Sequence, residues 1–212
     1  MTESFGIPQL KEYLVRMGLK IAQTKAEQQV IELAFHGNHG QWRMILGIQQ
    51  GGEVKKLMLI APHIAVVTMK KRLECLEALM AVNYRIAIGK FGLDLEDGEV
   101  RLEETIPLAD NILTFEQFQL ALGAIMQTVV IYQSLLPRIV QQDFTVQEAL
   151  KACEQDFFQS VRQEEETREV ETGPLEGPVG YTAVGHTERT HSDLSVDAVL
   201  EEVARLLDKR QE

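Results

Sequence analysis

The stretch that decides the fold is residues 87–108, AIGKFGLDLEDGEVRLEETIPL. Asp97 and Gly98 form a two-residue turn signal, because glycine tolerates the positive φ that a right-twisted hairpin requires. If Glu96 faces Glu99 across this turn, one face of the strands is apolar and the other carries an ion pair. The resulting pairs are Leu95 with Val100, Leu93 with Leu102, and Asp94 with Arg101. A slip of one residue would turn the leucines towards water, so the sequence predicts a β-hairpin in this register.

The residues before the hairpin predict a short amphipathic helix and a three-strand meander. Apolar side chains recur at helical spacing from Ile7 to Met17, with Pro8 suited to the first turn and Gly18 to the end of the helix. Alternating apolar and polar residues then predict strands at 30–36, 41–49 and 56–61. Glycine-rich turns join these strands, and Pro62 is expected to end the third.

Two helices flank the hairpin in the sequence. Thr68 is suited to cap the first, whose apolar stripe is expected to pack on the sheet and consists of Met69, Leu73, Leu76 and Met80. Thr114 and Gln117 form a capping box for the second, which is expected to run to about residue 136 and is apolar nearly all round. Because a sheet covers only one flank of such a helix, the other flank must meet another helix or a second subunit.

The last seventy residues predict a helix, a linker and a terminal helix. Thr145 and Glu148 form a capping box for a helix ending near Val161, with Ala149, Cys153 and Phe157 on its apolar side. Residues 164–193 contain 8 acidic and 2 basic residues without an apolar period, which predicts a disordered linker. Ser195 is suited to cap a final amphipathic helix with the stripe Val196, Val199, Leu200, Val203, Leu206 and Leu207. The predicted organisation is an α+β domain over 1–140, an additional helix over 141–163, the acidic linker over 164–193 and the terminal helix over 194–212.

Composition indicates a soluble globular domain with tails. The chain has 212 residues, of which 45% are hydrophobic and 25% are charged, as expected for one α+β domain. No run approaches the roughly 20 apolar residues that span a bilayer, and the amino terminus lacks the features of a signal peptide. Cys75 and Cys153 fall on apolar helix faces and match no metal spacing, so we interpret them as core residues in a reducing compartment. We therefore predict a cytoplasmic protein that does not bind membranes.

The charge distribution argues against general nucleic-acid binding. The formal net charge is −11, made up of +5 over residues 1–90 and −16 over residues 91–212. A net-acidic protein gains little from neutralising phosphates, which supplies most non-specific affinity for nucleic acids. One basic cluster keeps an alternative open, namely Lys55, Lys56, Lys70, Lys71 and Arg72. The sequence favours a solvated strand and helix start over a binding patch at these residues.

Candidate chemical motifs all have simpler structural interpretations. His36 and His39 flank a glycine turn and have no third metal ligand at a fixed offset. The GxxG sequence at residues 89–92 resembles the loop of KH domains but falls within a predicted strand. Four carboxylates around residues 94–99 lack the order of an EF-hand and the burial that tunes catalytic acids, so a solvated turn is favoured. The sequence thus predicts no catalytic residue, no metal, no cofactor and no enzyme activity.

The predicted element order, with an N-x6-F-x-L-x3-G-x-V character, resembles the YbjN family of sensory-transduction-regulator-like domains. More remotely, it resembles the class I type III secretion chaperones. The pattern falls here on Asn83, Phe91 (one step late), Leu93, Gly98 and Val100, within a likeness that covers about residues 7–140. Its main segments are LMLIAPHI at 57–64, LECLEALMAVNYRIAIGKFGLDLEDGEVRLEETIPL at 73–108 and LTFEQFQLAL at 113–122. The resemblance implies a small α+β domain without catalytic residues, often dimeric, that binds proteins or extended peptides.

These observations predict a non-enzymatic, chaperone-like or adaptor domain that binds a protein client or peptide. The alternative is a regulator that binds a small ligand or nucleic acid through the Lys55/Lys70 cluster. We predict a homodimer with the second long helix at its interface, and a terminal helix that docks on its own domain or on a partner. The predicted partner-binding residues are Val129, Tyr132, Val199, Leu200, Val203, Leu206 and Leu207.

Overall fold

The structure is a computed structural model that describes residues 5–37, 40–52, 54–108, 110 and 112–171, with side chains described up to residue 163. Eleven helices and strands follow one another in this part of the chain. They are α1 (Ile7–Arg16), β1 (Ile21–Lys25), β2 (Val30–Gly37), β3 (Gly40–Gly51), β4 (Val54–Val66), α2 (Arg72–Arg85), β5 (Lys90–Leu93), β6 (Glu99–Leu108), α3 (Phe115–Tyr132), α4 (Leu135–Gln141) and α5 (Val146–Glu171).

The strands form one antiparallel sheet in the order β1-β2-β3-β4-β6-β5, so the predicted α+β class is confirmed. Alternate side chains on the central strands are fully buried on one face, where α3 contacts β4 and β6. This face includes Ile31, Leu33, Met44, Leu46, Leu57, Leu59, Val100 and Leu102. The predicted first helix is confirmed as α1, whose Ile7, Leu10 and Leu14 are buried.

Two strands differ from the prediction. β1 was missed, because this five-residue edge strand is mostly polar and shows no clear alternation. The third predicted strand, β4, does not end at Pro62 but continues to Val66. The pairing of β4 with β6 is interrupted between Ala61 and Ala65, and His63 has a φ of 53° there. This β-bulge takes the proline out of the hydrogen-bonded ladder, which lets pairing resume beyond it.

The hairpin over residues 87–108 is present as β5 and β6, but its register differs from the predicted one by two residues. Leu93 pairs with Val100 and Phe91 pairs with Leu102. A shift of two residues keeps the same faces inward, so Val100 and Leu102 remain buried. Leu95, which was predicted to pair with Val100, instead lies in the connecting loop with 75% of its surface exposed.

The loop between β5 and β6 spans residues 94–98, where the sequence predicted a two-residue turn. The Asp94 carboxylate accepts a hydrogen bond from the Glu96 N–H at 2.9 Å, and the Asp97 carboxylate accepts one from the Glu99 N–H at 2.8 Å. Side chains that satisfy the backbone in this way favour a longer loop over a tight turn. Gly98 has the positive φ that was predicted, at 77°.

α2 turns its predicted core stripe outwards. Leu73 in that stripe is 79% exposed, whereas the buried side of the helix carries Cys75, Ala78, Leu79 and Val82. α2 contacts β5, α4 and α5, and smaller side chains let a helix approach its neighbours more closely. The helix also begins at Arg72 rather than beside Thr68, after Lys71 in a left-handed conformation with φ 52°.

α3 begins at the predicted capping box but ends before residue 136. Thr114 Oγ1 accepts a hydrogen bond from the Gln117 N–H at 3.2 Å, and Gln117 Oε1 accepts one from the Thr114 N–H at 3.0 Å. A continuous helix would place the Pro137 ring against the Gln133 carbonyl and lose a backbone donor. The chain therefore breaks after Tyr132 and restarts as α4.

The second flank of α3 is covered by α5, which is the helix alternative of the sequence prediction. α5 begins at the predicted capping box, where Glu148 Oε2 accepts a hydrogen bond from the Thr145 N–H at 2.9 Å. Its predicted apolar side, with Ala149, Cys153 and Phe157, is buried.

α5 continues to Glu171, beyond the predicted end near Val161. Residues 162–171 are mostly Glu, Gln and Arg, which favour helix, and the first glycine after them is Gly173. The first eight residues of the predicted linker are therefore helical. The rest of the linker and the predicted terminal helix lie outside the described residues.

One stretch of the described chain, Phe115–Gln141, is long and apolar enough to cross a membrane by composition. Its most apolar window is 56% buried within the fold. Its side chains instead pack against β4, β6 and α5 as part of the core.

Candidate functional site

Four of the exposed large apolar side chains of the described structure lie along α2 and just before it. Met69, Leu73, Met80 and Tyr84 are 82%, 79%, 66% and 93% exposed. The spacing of seven and four residues places Leu73, Met80 and Tyr84 on one side of α2, and Met69 lies just before the helix. We call these four residues the α2 stripe. Large apolar side chains that line up on one helix face in this way are typical of a surface that contacts another protein.

The α2 stripe is held on a firmly anchored helix. Asn83 Oδ1 accepts a hydrogen bond from the Phe91 N–H at 2.7 Å, and Asn83 Nδ2 donates to the Phe91 carbonyl at 3.0 Å. Lys90 Nζ donates to the carbonyls of Asn83 and Ile86 at 3.0 and 2.6 Å, which satisfies acceptors at the end of the helix. These bonds fix α2 to β5, so the orientation of the stripe is set by specific contacts.

The start of α2 is anchored to the segment before α5. Lys71 Nζ donates to the Ile139 carbonyl at 3.0 Å and forms an ion pair with Asp143. The hydrogen bond and charge of Lys71 lower the pKa of the Asp143 carboxyl. A cleft of about 530 Å³ lies here, and Glu74 and Glu77 line it together with Lys71 and Asp143. Lys71, the cationic residue of this cleft, is therefore already paired with Asp143.

Two further exposed apolar side chains belong to segments close to the start of α2. Val66, at the end of β4, is 60% exposed, and Leu95 in the β5–β6 loop is 75% exposed. The two segments touch, because the Val67 N–H donates to the Gly98 carbonyl at 2.8 Å. The apolar character of the α2 stripe therefore extends towards this end of the sheet.

The predicted partner-binding residues on α3 are buried within the described chain. Val129 has no exposed surface and Tyr132 is 8% exposed. The Tyr132 hydroxyl donates a hydrogen bond to Glu154 Oε1 on α5 at 3.0 Å. Burial and the neighbouring Glu154 carboxylate raise the pKa of Tyr132 to about 12. Neither residue is accessible to a partner while α5 is packed in this way.

The other predicted partner-binding residues lie outside the described part of the chain. They are Val199, Leu200, Val203, Leu206 and Leu207.

The structure divides the predicted basic cluster. Lys55 and Lys56 lie at the start of β4, whereas Lys70, Lys71 and Arg72 follow its end. The strand between the two groups spans roughly 30 Å, at about 3.3 Å per residue. The five residues therefore do not form one patch, which agrees with the solvated strand and helix start that the sequence favoured.

The remaining candidate motifs have structural roles or lie partly outside the described chain. His36 is exposed on β2, and His39 is outside the described residues. Within the described ranges, no three His, Cys, Asp or Glu side chains are grouped so that they could hold a metal ion. Gly89 lies in the turn before β5, with a φ of 82°, and its N–H donates to Glu104 Oε2 at 2.7 Å. The GxxG sequence therefore does not join two helices.

Sequence reasoning selected three of the four stripe residues but assigned them to the core. Tyr84 was missed, although it follows Met80 by four residues and so continues the same helical face. The sequence feature that could have identified this surface is that α2 is apolar on two sides, because Cys75, Leu79 and Val82 define a second stripe. A helix with two apolar stripes buries one and presents the other to a partner.

These features define a class of protein: an α+β domain with an antiparallel sheet, a buried core helix and an exposed apolar helix face. Residues 8–134 match the family model YbjN, described as "Putative bacterial sensory transduction regulator". The chain belongs to the YbjN family, as its sequence pattern predicted. No curated protein matches the chain significantly.

Solved structures with a similar fold include the crystal structure of "YbjN, a putative transcription regulator from E. coli". It is 16% identical, with a TM-score of 0.46, over 61% of this chain and 92% of that chain. A chain of the ExsC–ExsE complex is 22% identical, with a TM-score of 0.44, over 62% of this chain and 97% of that chain. At these identities and TM-scores, neither likeness supports a conclusion about function.

Proposed function

We propose that this protein is a non-enzymatic regulatory or chaperone-like domain that binds another protein through the α2 stripe. The observation that carries the proposal is the exposure of three large apolar side chains on one face of an anchored helix, together with Met69 just before it. A fold of this size can bury such side chains, as it does on the other side of α2, at a gain of about 1.5 to 3 kcal/mol each. Their position at the surface is therefore explained by a second, intermolecular burial.

Family membership supports the regulatory part of the proposal. The family description names a regulator and no reaction. Of the carboxylates clustered at residues 94–99, Asp94 and Asp97 accept hydrogen bonds from the backbone of their own loop, and Glu99 accepts one from the His63 N–H, which supports structural roles for them. We propose further that the protein needs no cofactor and works in the cytoplasm without binding to membranes.

The partner in this proposal contributes an apolar surface, either a helix or an extended peptide. A helix face with aromatic and methionine side chains suits groove-like or helix-to-helix contact, and methionine adapts to partners of different shape. The predicted homodimer also stays a proposal. Since Val129 and Tyr132 are buried within the fold, a dimer would have to use an exposed face of the molecule.

The test compares the full-length protein with a variant that carries Met80→Glu and Tyr84→Glu. Both side chains are exposed, so the variant should keep its fold, which circular dichroism and thermal unfolding verify. Val15→Glu is the matched control, since Val15 is 71% exposed on α1. Tagged proteins capture partners from a native lysate, and mass spectrometry quantifies them. We expect one set of proteins to be lost with the α2 variant and kept with the control.

Salt dependence separates this proposal from the ligand or nucleic-acid alternative. Apolar contacts should survive about 1 M salt, where the Debye length is about 3 Å, whereas phosphate-led binding should collapse. Capture that disappears in high salt and ignores the α2 variant would contradict the proposal. Sedimentation of the same three proteins at micromolar concentrations decides whether a dimer forms and whether it uses the stripe.

A further inference from the structure

We propose that the α2 stripe is also the docking site of the chain's own terminal helix, residues 195–209, which lies against α2 in antiparallel orientation. The inference rests on the proposed function only in using the same surface. It identifies an occupant of the stripe within the molecule, so that a protein partner has to displace it.

The two surfaces match in length and character. α2 has 14 residues, about 21 Å at 1.5 Å per residue. The predicted terminal helix has fifteen residues and nearly the same length, with six aliphatic side chains on one side. Tyr84 and Met80 on α2 would meet branched aliphatic residues, a combination that packs well between helices.

The direction of α5 places the start of the connecting segment near one end of α2. Asp143, just before α5, pairs with Lys71 at the start of α2, and Glu154 on α5 pairs with Arg85 at its end. α5 thus runs alongside α2 in the same direction. It continues for 17 residues from Glu154 to Glu171, about 25 Å beyond the end of α2.

The segment between α5 and the predicted terminal helix is long enough to lead the chain back to α2. Residues 172–194 comprise 23 residues, and a coil of this length has a root-mean-square reach of about 26 Å at 5 to 6 Å times the square root of its length. This reach matches the distance from Glu171 back to Tyr84. The terminal helix would therefore start near Tyr84 and run towards Met69, which is antiparallel to α2.

Charges at the helix ends favour the same orientation. Glu74 and Glu77 lie near the start of α2, and neither forms an ion pair with another described residue. An antiparallel terminal helix brings the cations Lys209 and Arg210 to this end. It also places opposite helix dipoles side by side, whereas a parallel arrangement would align them unfavourably.

The test measures whether the stripe is covered in the full-length protein without any partner. Met80→Cys places a thiol in the middle of the stripe, and the native Cys75 and Cys153 are fully buried, so a maleimide reports on position 80. Val15→Cys places a control thiol at an exposed site on α1. Val203→Asp adds a charge to the terminal stripe, and Ala198→Asp adds the same charge to the opposite side of the predicted helix.

We expect Val203→Asp to accelerate labelling at position 80 by about fivefold or more. Ala198→Asp should leave it unchanged, and labelling at position 15 should respond to neither substitution. Protection should not depend on protein concentration, because docking is intramolecular. Absence of protection would overturn the inference. Protection that grows with concentration and survives Val203→Asp would also overturn it and would assign the stripe to a second copy of the chain.

The labelling result is independent of the proposed function. No partner is present in this experiment, so a failure leaves partner capture by the α2 stripe untouched. Conversely, capture that is insensitive to Met80→Glu would remove the proposed function without affecting the labelling rates.

Discussion

Gly98 is the residue on which the β5–β6 loop depends. Its φ is 77°, and a Cβ at this position would overlap the carbonyl oxygen of Val67. We expect Gly98→Ala to destabilise the fold by about 1 to 3 kcal/mol, through both backbone strain and steric overlap. Urea unfolding measures the change.

Gly52→Ala is the matched control for Gly98→Ala. Gly52 also has a positive φ, at 65°, but a Cβ there would meet no atom within 4 Å. The control should therefore show the backbone strain without the overlap and cost less than Gly98→Ala. Equal costs would show that the contact with Val67 does not constrain the loop.

Tyr132 should make stability depend on alkaline pH. Burial and Glu154 raise its pKa to about 12 in the folded protein, whereas an unfolded tyrosine titrates near 10. As the pH rises, the unfolded chain therefore loses this proton first. The stabilisation that Tyr132 gives to the folded protein is complete below about pH 10 and falls as the pH rises towards 12. The loss is at most about 2 to 3 kcal/mol, at about 1.4 kcal/mol per pKa unit.

Tyr132→Phe provides the comparison. At about pH 8 the wild type should be more stable by about 1 kcal/mol, because the hydrogen bond to Glu154 is present. The advantage should shrink or reverse at about pH 11 in urea unfolding. Tyr84→Phe, at a residue 93% exposed, should show no such change. A stability advantage of the wild type that persists unchanged at high pH would contradict the raised pKa of Tyr132.

Single residues explain where the hairpin prediction held and where it was wrong. The positive φ of Gly98 and the inward faces of Val100 and Leu102 were predictable, because they follow from side-chain type and a period of two. The register was not, since it depended on Asp94 and Asp97 bonding to the loop backbone. Aspartates in a loop are compatible with several turns, and the sequence does not show which one the rest of the fold accommodates.

At the scale of elements, Leu79 lies on the buried side of α2 and Leu73 on its exposed side. Leu79 is 5% exposed and Leu73 is 79% exposed. We expect Leu79→Ala to cost about 2 to 5 kcal/mol, because a cavity remains in the core. Leu73→Ala should cost less than about 1 kcal/mol. Similar losses in urea unfolding would mean that both sides of α2 are buried in the free protein.

Elements with local signals were predictable and elements shaped by tertiary contacts were not. The capping boxes at Thr114 and Thr145 identified the starts of α3 and α5, since each is complete within four residues. The exposed side of α2 could not be identified, because its choice depends on α4 and α5, which come later in the chain. Pro137 was a visible signal for the break after α3, and the long apolar pattern outweighed it.

At the scale of the whole molecule, acid should loosen α5 before the sheet. The pKa of Asp143 is lowered by its hydrogen bond and charge interaction with Lys71, and that of Glu148 is lowered by hydrogen bonds from Thr145. A lowered pKa means that the stabilisation is present above the ordinary values near 4 and is lost as the pH falls through the folded values. Both carboxyls lie at the start of α5.

Hydrogen exchange of backbone amides measures this effect. Between about pH 7 and pH 3, α5 should lose more protection than α1, after correction for intrinsic exchange rates. Asp143→Asn should remove part of the difference, and Asp94→Asn in the β5–β6 loop is the control. Equal loss across all helices would indicate global acid unfolding instead.

The family and the α+β domain were predictable from the whole pattern, since element order and hydrophobic period survive local errors. The candidate surface was only partly predictable. Its residues were visible as a helical stripe, but their exposure depends on the packing of the complete chain. The predicted site on α3 shows the same limit, because α5 covers Val129 and Tyr132.

The two outer strands of the sheet are its shortest. β1 has five residues with an irregularity between Ile21 and Gln23, and β5 has four. Short, irregular edges that carry lysines resist pairing with strands of other chains. The molecule therefore exposes apolar side chains without offering an extended backbone template beside them. Recognition through side chains alone sets no main-chain register, so a partner's sequence can diverge widely during evolution provided that its apolar surface keeps its shape.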